Sequence, residues 1–129
     1  MESTTKSPVR VLIADDHRLF AEALEAILST EEGIEVVGRA ADGEEAVAMA
    51  RTLSPDVVAL DISMPVMDGF EAAALLEQLD RPPAVLMLTG SNAAEDVDRA
   101  RRAGVKGYIT KDSIAARLVD AILAAAEPR

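Results

Sequence analysis

Val57-Val58-Ala59-Leu60-Asp61 is the stretch that decides the fold, because four consecutive apolar residues run directly into a carboxylate. A short apolar run of this kind is typical of a strand that is buried on both faces of a sheet. Four further runs rich in aliphatic residues lie along the chain, at residues 9–13, 34–37, 84–88 and 105–109. The sequence therefore predicts five short strands.

The stretches between and after these runs predict five amphipathic helices. Asp42 is the predicted cap of the second helix, which covers about residues 43–53. The third is predicted to run through Leu79, before Pro82 and Pro83 break it. The fourth, over about residues 93–103, has Val97 as its single large apolar residue. Strands that alternate with helices predict an α/β fold with a parallel sheet covered on both faces. We take it as a flavodoxin-like, doubly wound (βα)5 domain, whose five-stranded parallel sheet has the order 2-1-3-4-5.

The composition narrows the classes of function. The chain has 129 residues, which favours one domain, and its first eight residues are predicted to form a flexible polar tail. The formal charge of −10 disfavours binding to nucleic acid or to an anionic membrane. Cysteine is absent, which excludes disulfides and thiol chemistry. Without an apolar run of about 20 residues or a signal peptide, we expect a cytoplasmic protein.

Polar residues stand at the ends of four of the predicted strands. Asp15 and Asp16 follow the first strand, Asp61 ends the third, Thr89 ends the fourth and Lys111 follows the fifth. In an open parallel sheet, ligands bind beyond the carboxyl ends of the strands, so these side chains are predicted to share one cleft. Each also has an ordinary structural interpretation, as a helix cap, a strand threonine or a surface lysine.

His17 is the only histidine and sits beside the acid pair. Because it stands at the start of a predicted helix, a structural role is favoured for it over catalysis.

In these strands, helices and polar residues the chain resembles the receiver domain of two-component response regulators. The resemblance covers about residues 9–126, and the domain is assigned to residues 9–127. It is carried by four segments in order: Val11-Leu-Ile-Ala-Asp-Asp-His17, Asp56-Val-Val-Ala-Leu-Asp-Ile-Ser-Met-Pro-Val-Met-Asp-Gly69, Leu86-Met-Leu-Thr-Gly90 and Gly104-Val-Lys-Gly-Tyr-Ile-Thr-Lys111. The motifs Ala-Asp-Asp-His and Thr-Lys-Asp are similar to the corresponding motifs in receivers of LuxR-type helix-turn-helix regulators.

The resemblance implies that Asp61 accepts a phosphoryl group from a histidine kinase. The cofactor would be Mg²⁺ or Mn²⁺, held by Asp15, Asp16, Asp61 and the backbone carbonyl of Ser63. Lys111 and Thr89 would contact the phosphoryl oxygens. The chain would then be a phosphoacceptor switch that assists its own phosphorylation and dephosphorylation, and not an enzyme.

The resemblance also implies how the signal leaves the site. Thr89 and Tyr108 would move together and alter the face formed by the fourth helix, the fifth strand and the fifth helix. Ser63 and Ser91 stand at positions that tune dephosphorylation in the family. Both are small and neutral, so we expect a longer phosphoryl lifetime than in a fast chemotaxis-type switch.

Several alternatives stay open at this stage. The output is either transcription through a C-terminal DNA-binding domain that is missing here, or protein contacts of a stand-alone regulator, with a homodimer possible on activation. An inactive receiver that serves as a protein-binding module is a second alternative. A phosphatase with an aspartyl nucleophile is disfavoured because Ser63 stands where a second acid is needed, and a flavodoxin-like cofactor binder because Asp15 and Asp16 would repel phosphate.

Overall fold

Strands and helices alternate through the residues that a computed structural model of the chain describes, 7–90 and 94–127, with 94–96 described by their backbone alone. None of the helices in these ranges is long and apolar enough to cross a bilayer. The elements are β1 (Val9–Ala14), α1 (Arg18–Ser29), β2 (Ile34–Ala40), α2 (Gly43–Leu53), β3 (Val57–Asp61), α3 (Gly69–Leu76), β4 (Ala84–Thr89), α4 (Ala94–Arg102), β5 (Gly107–Thr110) and α5 (Ile114–Ala126), the last preceded by one 3-10 turn at Lys111–Ser113.

The five strands form one parallel sheet in the order β2-β1-β3-β4-β5. This confirms the predicted doubly wound, flavodoxin-like architecture. The register pairs Asp61 with Leu88 and Thr89 with Thr110, so the carboxyl ends of β3, β4 and β5 lie at one edge of the sheet. The polar residues that follow the strands are therefore brought to a common edge.

The core lies on both faces of the sheet, and β3 is buried along its whole length. Val58 and Leu60 pack into the cluster on the side of α2 and α3, whereas Val57 and Ala59 pack on the side of α1 and α5. Side chains alternate between the two faces of a strand, so a central strand covered on both sides needs apolar residues at every position. The unbroken apolar run before Asp61 follows from this.

The third helix is shorter than the sequence predicts. Regular α-helix ends at Leu76, while Leu79 lies in a turn beyond it. The backbone N–H of Gln78 donates to the carbonyl of Leu75 at 3.1 Å, and that of Leu79 donates to Leu76 at 3.2 Å. These bonds tighten the chain into 3-10-like turns ahead of the two prolines, so the helix is already ending before Pro82 and Pro83.

The fifth strand begins later than predicted, at Gly107 and not at Val105. Gly104 has a φ of +80°, a left-handed conformation that glycine adopts without steric cost. Beyond it, the N–H of Val105 donates to the carbonyl of Ala100 at 3.3 Å. Val105 thus completes the C-terminal cap of α4 and is not part of the sheet.

Two helix caps position the loops beside the sheet edge. Asp42 accepts a hydrogen bond from the N–H of Glu45 at 2.8 Å, which confirms it as the cap of α2. Asp68 and Glu71 form a reciprocal capping box at the start of α3. This second cap anchors the end of the loop that follows Asp61.

The loop after β3 contains a strained turn at Val66. The N–H of Met67 donates to the carbonyl of Pro65 at 2.7 Å, which closes a three-residue γ-turn around Val66. Val66 has a φ of +70°, and its side chain is 77% exposed. A β-branched residue in this conformation carries a steric penalty of roughly 1 to 3 kcal/mol, and almost no burial offsets it here.

Val66→Gly is expected to stabilise the domain, because glycine adopts a positive φ without the clash at Cβ. We expect a gain of about 1 kcal/mol after the extra entropy of glycine in the unfolded chain is subtracted. Urea denaturation at neutral pH would measure it. Val66→Ala is the matched control, since it keeps a Cβ and should keep most of the strain; equal stabilisation by both variants would contradict this account.

Candidate functional site

A buried ion-pair cluster lies at the carboxyl edge of the sheet, where β1, β3 and β5 end. Lys111 Nζ lies 3.3 Å from Asp15 Oδ2 and 3.3 Å from Asp61 Oδ2. The Asp15 side chain is fully buried, that of Asp61 is 3% exposed and that of Lys111 is 23% exposed. The structure therefore brings together three residues that the sequence placed on three separate strand ends.

The turn after β1 orients the acid pair. The N–H of His17 donates to Asp15 Oδ1 at 2.8 Å, and His17 itself occupies the N-cap position of α1. Neither Asp15 nor Asp16 caps this helix, so the alternative interpretation of these residues as helix caps is wrong. Asp16 is more open, with its side chain 33% exposed.

Asp15, Asp16, His17 and Asp61 each offer one ligand atom to a common point. These four atoms all lie within 4.8 Å of one another, which is close enough to hold a metal ion. His17 Nδ1 lies 3.4 Å from Asp15 Oδ1 and 3.4 Å from Asp16 Oδ1. The sequence identified the three acids, whereas the histidine was assigned a structural role.

The Asp61 carboxyl group has a raised pKa. Burial is the largest cause, since it removes the carboxylate from water, and the negative charge of Asp15 adds to it. The ammonium of Lys111 and the backbone N–H of Ser63, which is 3.4 Å from Asp61 Oδ1, act in the opposite direction. The charged form of Asp61 is therefore less favourable here than in an exposed aspartate.

Two substitutions are expected to move the pKa of Asp61 in opposite directions. Lys111→Met removes the nearby positive charge and should raise this pKa further, whereas Asp15→Asn removes a negative charge and should lower it. A ¹³C NMR titration of the carboxyl group in metal-free buffer would measure both. A pKa that neither variant moves would mean that burial alone sets it.

Thr89 and Tyr108 lie on β4 and β5, the two strands to one side of β3, and Ser63 lies two residues after Asp61. Thr89 is 4% exposed and follows the residue of β4 that pairs with Asp61. Tyr108 is half-buried on β5 beside Met87 and packs against the α2–α3 side of the core. Ser63 is exposed directly after the site, and Ser91 lies outside the described residues.

Two aromatic contacts near the site were missed by sequence reasoning. Lys111 Nζ lies 4.5 Å from the centre of the Phe20 ring, so an aromatic face on α1 supports the ammonium. Arg99 Cζ lies 3.9 Å from the centre of the Phe70 ring. Phe20 and Phe70 lie in α1 and α3, and no sequence pattern indicates which cation packs on an aromatic ring.

A shallow cleft opens beside the cluster. Asp16, Ser63, Phe70 and Arg99 contribute to its walls, together with Ile62, Met64, Pro65 and Asp68. The cluster can therefore be approached from solvent on the side of Asp16.

A doubly wound parallel sheet with an acid–acid–lysine cluster at its carboxyl edge defines the receiver class, and comparison with known proteins agrees. The family profile for the response regulator receiver domain matches residues 11–123. The chain belongs to this family, as its sequence motifs predicted.

Individual relatives support the same assignment. The chain is 42% identical over 115 residues to the response regulator protein VraR of Staphylococcus aureus, covering 88% of this chain and 54% of VraR. It therefore spans about half the length of that curated relative.

Two solved structures are also similar. The signal receiver domain of the putative response regulator NarL from Mycobacterium tuberculosis superposes with a TM-score of 0.91 at 36% identity, covering 96% of this chain and all of that one. A LuxR-family two-component response regulator from Aurantimonas sp. SI85-9A1 gives a TM-score of 0.86 at 35% identity, with 92% and 84% covered. The resemblance to LuxR-type receivers is confirmed by these relatives.

Proposed function

We propose that this receiver accepts a phosphoryl group on Asp61 from a histidine kinase and acts as a switch, without being an enzyme. The observation that carries the proposal is the pairing of Lys111 Nζ with both Asp15 Oδ2 and Asp61 Oδ2 at 3.3 Å. A buried carboxylate beside a second carboxylate and a lysine combines a nucleophile, a place for a cation and a fixed positive charge.

The transfer step follows from the side chains. A carboxylate oxygen of Asp61 attacks the phosphorus of a phosphohistidine; the new O–P bond forms as the N–P bond breaks, and the released imidazole takes up a proton. Lys111, supported by Phe20, is placed to pair with the phosphoryl oxygens after transfer. Thr89 has a hydroxyl that can donate a hydrogen bond to one of them.

The residues present fit a divalent cation. Two buried carboxylates, those of Asp15 and Asp61, share the single ammonium of Lys111. Apart from this ion pair, Asp15 Oδ2 and Asp61 Oδ2 have no hydrogen-bond partner within the described residues. Carboxylate oxygens are the ligands that Mg²⁺ and Mn²⁺ prefer. Asp15, Asp16, Asp61 and the carbonyl of Ser63 would hold such an ion, which would screen the repulsion between the carboxylate and the incoming phosphoryl group.

The proposed output is a change in the face formed by α4, β5 and α5. Thr89 and Tyr108 lie on adjacent strands, so a movement of Thr89 toward a phosphorylated Asp61 would alter the packing of the tyrosine. VraR is about twice as long as the matched segment. We propose that the output passes through a further domain that binds DNA. Homodimerisation on activation and a cytoplasmic location also belong to this proposal.

Ser63 and Ser91 are proposed to set the lifetime of the phosphoryl group. Small neutral side chains at these two positions are poorly suited to place a hydrolytic water, so we expect slow dephosphorylation. The decay of phosphorylated protein after removal of the donor would measure it.

Intact-protein mass spectrometry tests the proposal directly. The chain is incubated with a small phosphodonor and Mg²⁺, beside a metal-free sample and an Asp61→Ala variant. We expect one phosphoryl group on the wild type with metal and none in either control. No addition from small donors or from a cognate kinase would favour the inactive binding module, and addition to Asp61→Ala would identify another acceptor.

A further inference from the structure

His17 has an imidazole that the proposed phosphoryl transfer does not use. Its side chain is 68% exposed, and although the residue is the N-cap of α1, its ring makes no capping hydrogen bond. The backbone N–H of His17 already binds Asp15 Oδ1, which fixes this residue close to the acid pair. The ring nitrogen Nδ1 is therefore held near the carboxylates while remaining accessible from solvent.

The two separations between the histidine nitrogen and the neighbouring carboxylate oxygens are close to those in a tetrahedral site. His17 Nδ1 lies 3.4 Å from both Asp15 Oδ1 and Asp16 Oδ1. Ligands of a tetrahedral Zn²⁺, bound at about 2.1 Å, are separated by about 3.4 Å. Adjacent ligands of an octahedral Mg²⁺ at about 2.1 Å are separated by only about 3.0 Å. The two separations that involve His17 match the tetrahedral value.

The donor atoms point to the same class of metal. Imidazole nitrogen suits zinc and other late transition metals, whereas Mg²⁺ is bound by oxygen alone. Asp61 is buried beside Asp15 and Asp16, and the ligand atoms of all three lie within 4.8 Å of His17 and of one another. One nitrogen and up to three carboxylate oxygens make a four-ligand set of the kind that Zn²⁺ takes.

We propose that His17 is a metal ligand that makes this site bind Zn²⁺ in competition with Mg²⁺. The inference rests on the proposed function, because the competition is for the carboxylates that Mg²⁺ would use in phosphoryl transfer. Zn²⁺ held by His17, Asp15 and Asp16 excludes the oxygen-only coordination and slows phosphorylation. His17 therefore sets which cation controls the switch.

Because the chain has a single histidine, every imidazole signal in the test comes from His17. Tag-free protein labelled with ¹⁵N is titrated with Zn²⁺, and separately with Mg²⁺, while the imidazole nitrogens are followed by NMR. Affinities are measured by calorimetry for the wild type, His17→Ala and Asp16→Asn, with Arg18→Ala as the control for a neighbouring exposed residue.

Zn²⁺ is expected to shift one imidazole nitrogen strongly, and Mg²⁺ is not. His17→Ala should weaken Zn²⁺ binding at least tenfold more than it weakens Mg²⁺ binding. The loss of even an outer partner of a metal ligand lowers metal affinity by about 10- to 100-fold. Asp16→Asn should weaken Zn²⁺ binding as well, and Arg18→Ala should not.

Equal Zn²⁺ affinity in the wild type and His17→Ala would overturn the inference. So would Zn²⁺ binding that depends on His17 and not on Asp16, because that is an adventitious surface histidine. A chain in which Zn²⁺ binds through His17 and Asp16 and is displaced by Mg²⁺, but which takes up no phosphoryl group, supports this inference and contradicts the proposed function, so the two can fail separately.

Discussion

Asp61→Asn is expected to abolish phosphoryl acceptance and, in metal-free buffer at neutral pH, to make the folded domain more stable. The amide has nearly the shape of the carboxyl group and carries no charge. The loss of function follows because an amide is not a nucleophile toward phosphorus at neutral pH. The gain in stability follows from the raised pKa of Asp61, which burial and Asp15 produce.

The sign of the pH dependence can be worked out. A carboxyl group whose folded-state pKa lies above its unfolded value favours folding fully below the unfolded pKa. That contribution is lost as the pH rises through the folded pKa. Each pH unit between the two pKa values corresponds to about 1.4 kcal/mol. The stability of the wild type should therefore fall relative to Asp61→Asn between acidic and neutral pH.

Urea denaturation across this pH range measures the effect. Asp120→Asn is the matched control, because it removes the same charge from an exposed position on α5. It should change stability little, since single exposed charges contribute little. Mg²⁺ should then stabilise the wild type more than Asp61→Asn, because a ligand stabilises the state that binds it. A variant that is less stable than the wild type at neutral pH would contradict the electrostatic account.

Gly69→Ala is expected to damage both stability and phosphorylation, although Gly69 carries no chemistry. A Cβ at this position would lie 2.5 Å from the backbone carbonyl oxygen of Asp61 and 2.8 Å from Cα of Ile62. Both are backbone atoms, so the loop after β3 must move to make room. We expect a loss of roughly 1 to 3 kcal/mol, the usual cost of overpacking.

The effect on the reaction should be larger than the effect on stability suggests. The N–H of Gly69 donates to the carbonyl of Ile62 at 2.8 Å, which ties the start of α3 to the residue after the acceptor. A displacement of about 1 Å in a reacting group can lower a rate by about 100-fold. Initial phosphorylation rates with a small donor, measured well below the melting temperature, should fall by at least tenfold.

Gly33→Ala is the control for this prediction, because a Cβ there meets nothing within 4 Å. It should leave both stability and rate close to those of the wild type. A Gly69→Ala variant with wild-type phosphorylation would show that the loop can shift without moving Asp61.

Once the doubly wound class was assumed with its strand order, the sequence predicted that Asp15, Asp61 and Lys111 meet. It could do so because parallel strands place their carboxyl ends at one edge, so a polar residue at each strand end is located by the topology. The continuous apolar run of β3 was equally informative, since burial on both faces leaves no polar position. These conclusions depend on the path of the backbone and on the spacing of apolar residues along the chain, and that spacing can be read from the sequence.

Other features depend on contacts between distant residues, which no local sequence pattern indicates. Periodicity shows that Phe20 faces inward, but not that Lys111 lies over its ring. The close approach of Gly69 to Asp61 depends on the path of a whole loop. Helix ends are decided by a few hydrogen bonds, which is why the position of Leu79 outside α3 was not foreseen.

The strand order has a consequence for folding. Asp61 and Thr89 end two strands of the sheet, and Asp15 and Lys111 directly follow their two outer neighbours. Each pair of parallel strands can join only after a crossover segment has been placed between them. Contacts so distant along the chain form late and slowly, because loop closure must precede them. A partly folded chain, or one still emerging from the ribosome without β5, has its acidic residues but not the lysine. Under the proposed function, competence to take up a phosphoryl group would therefore be a property of the completed sheet, and the topology would prevent premature signalling by incomplete molecules.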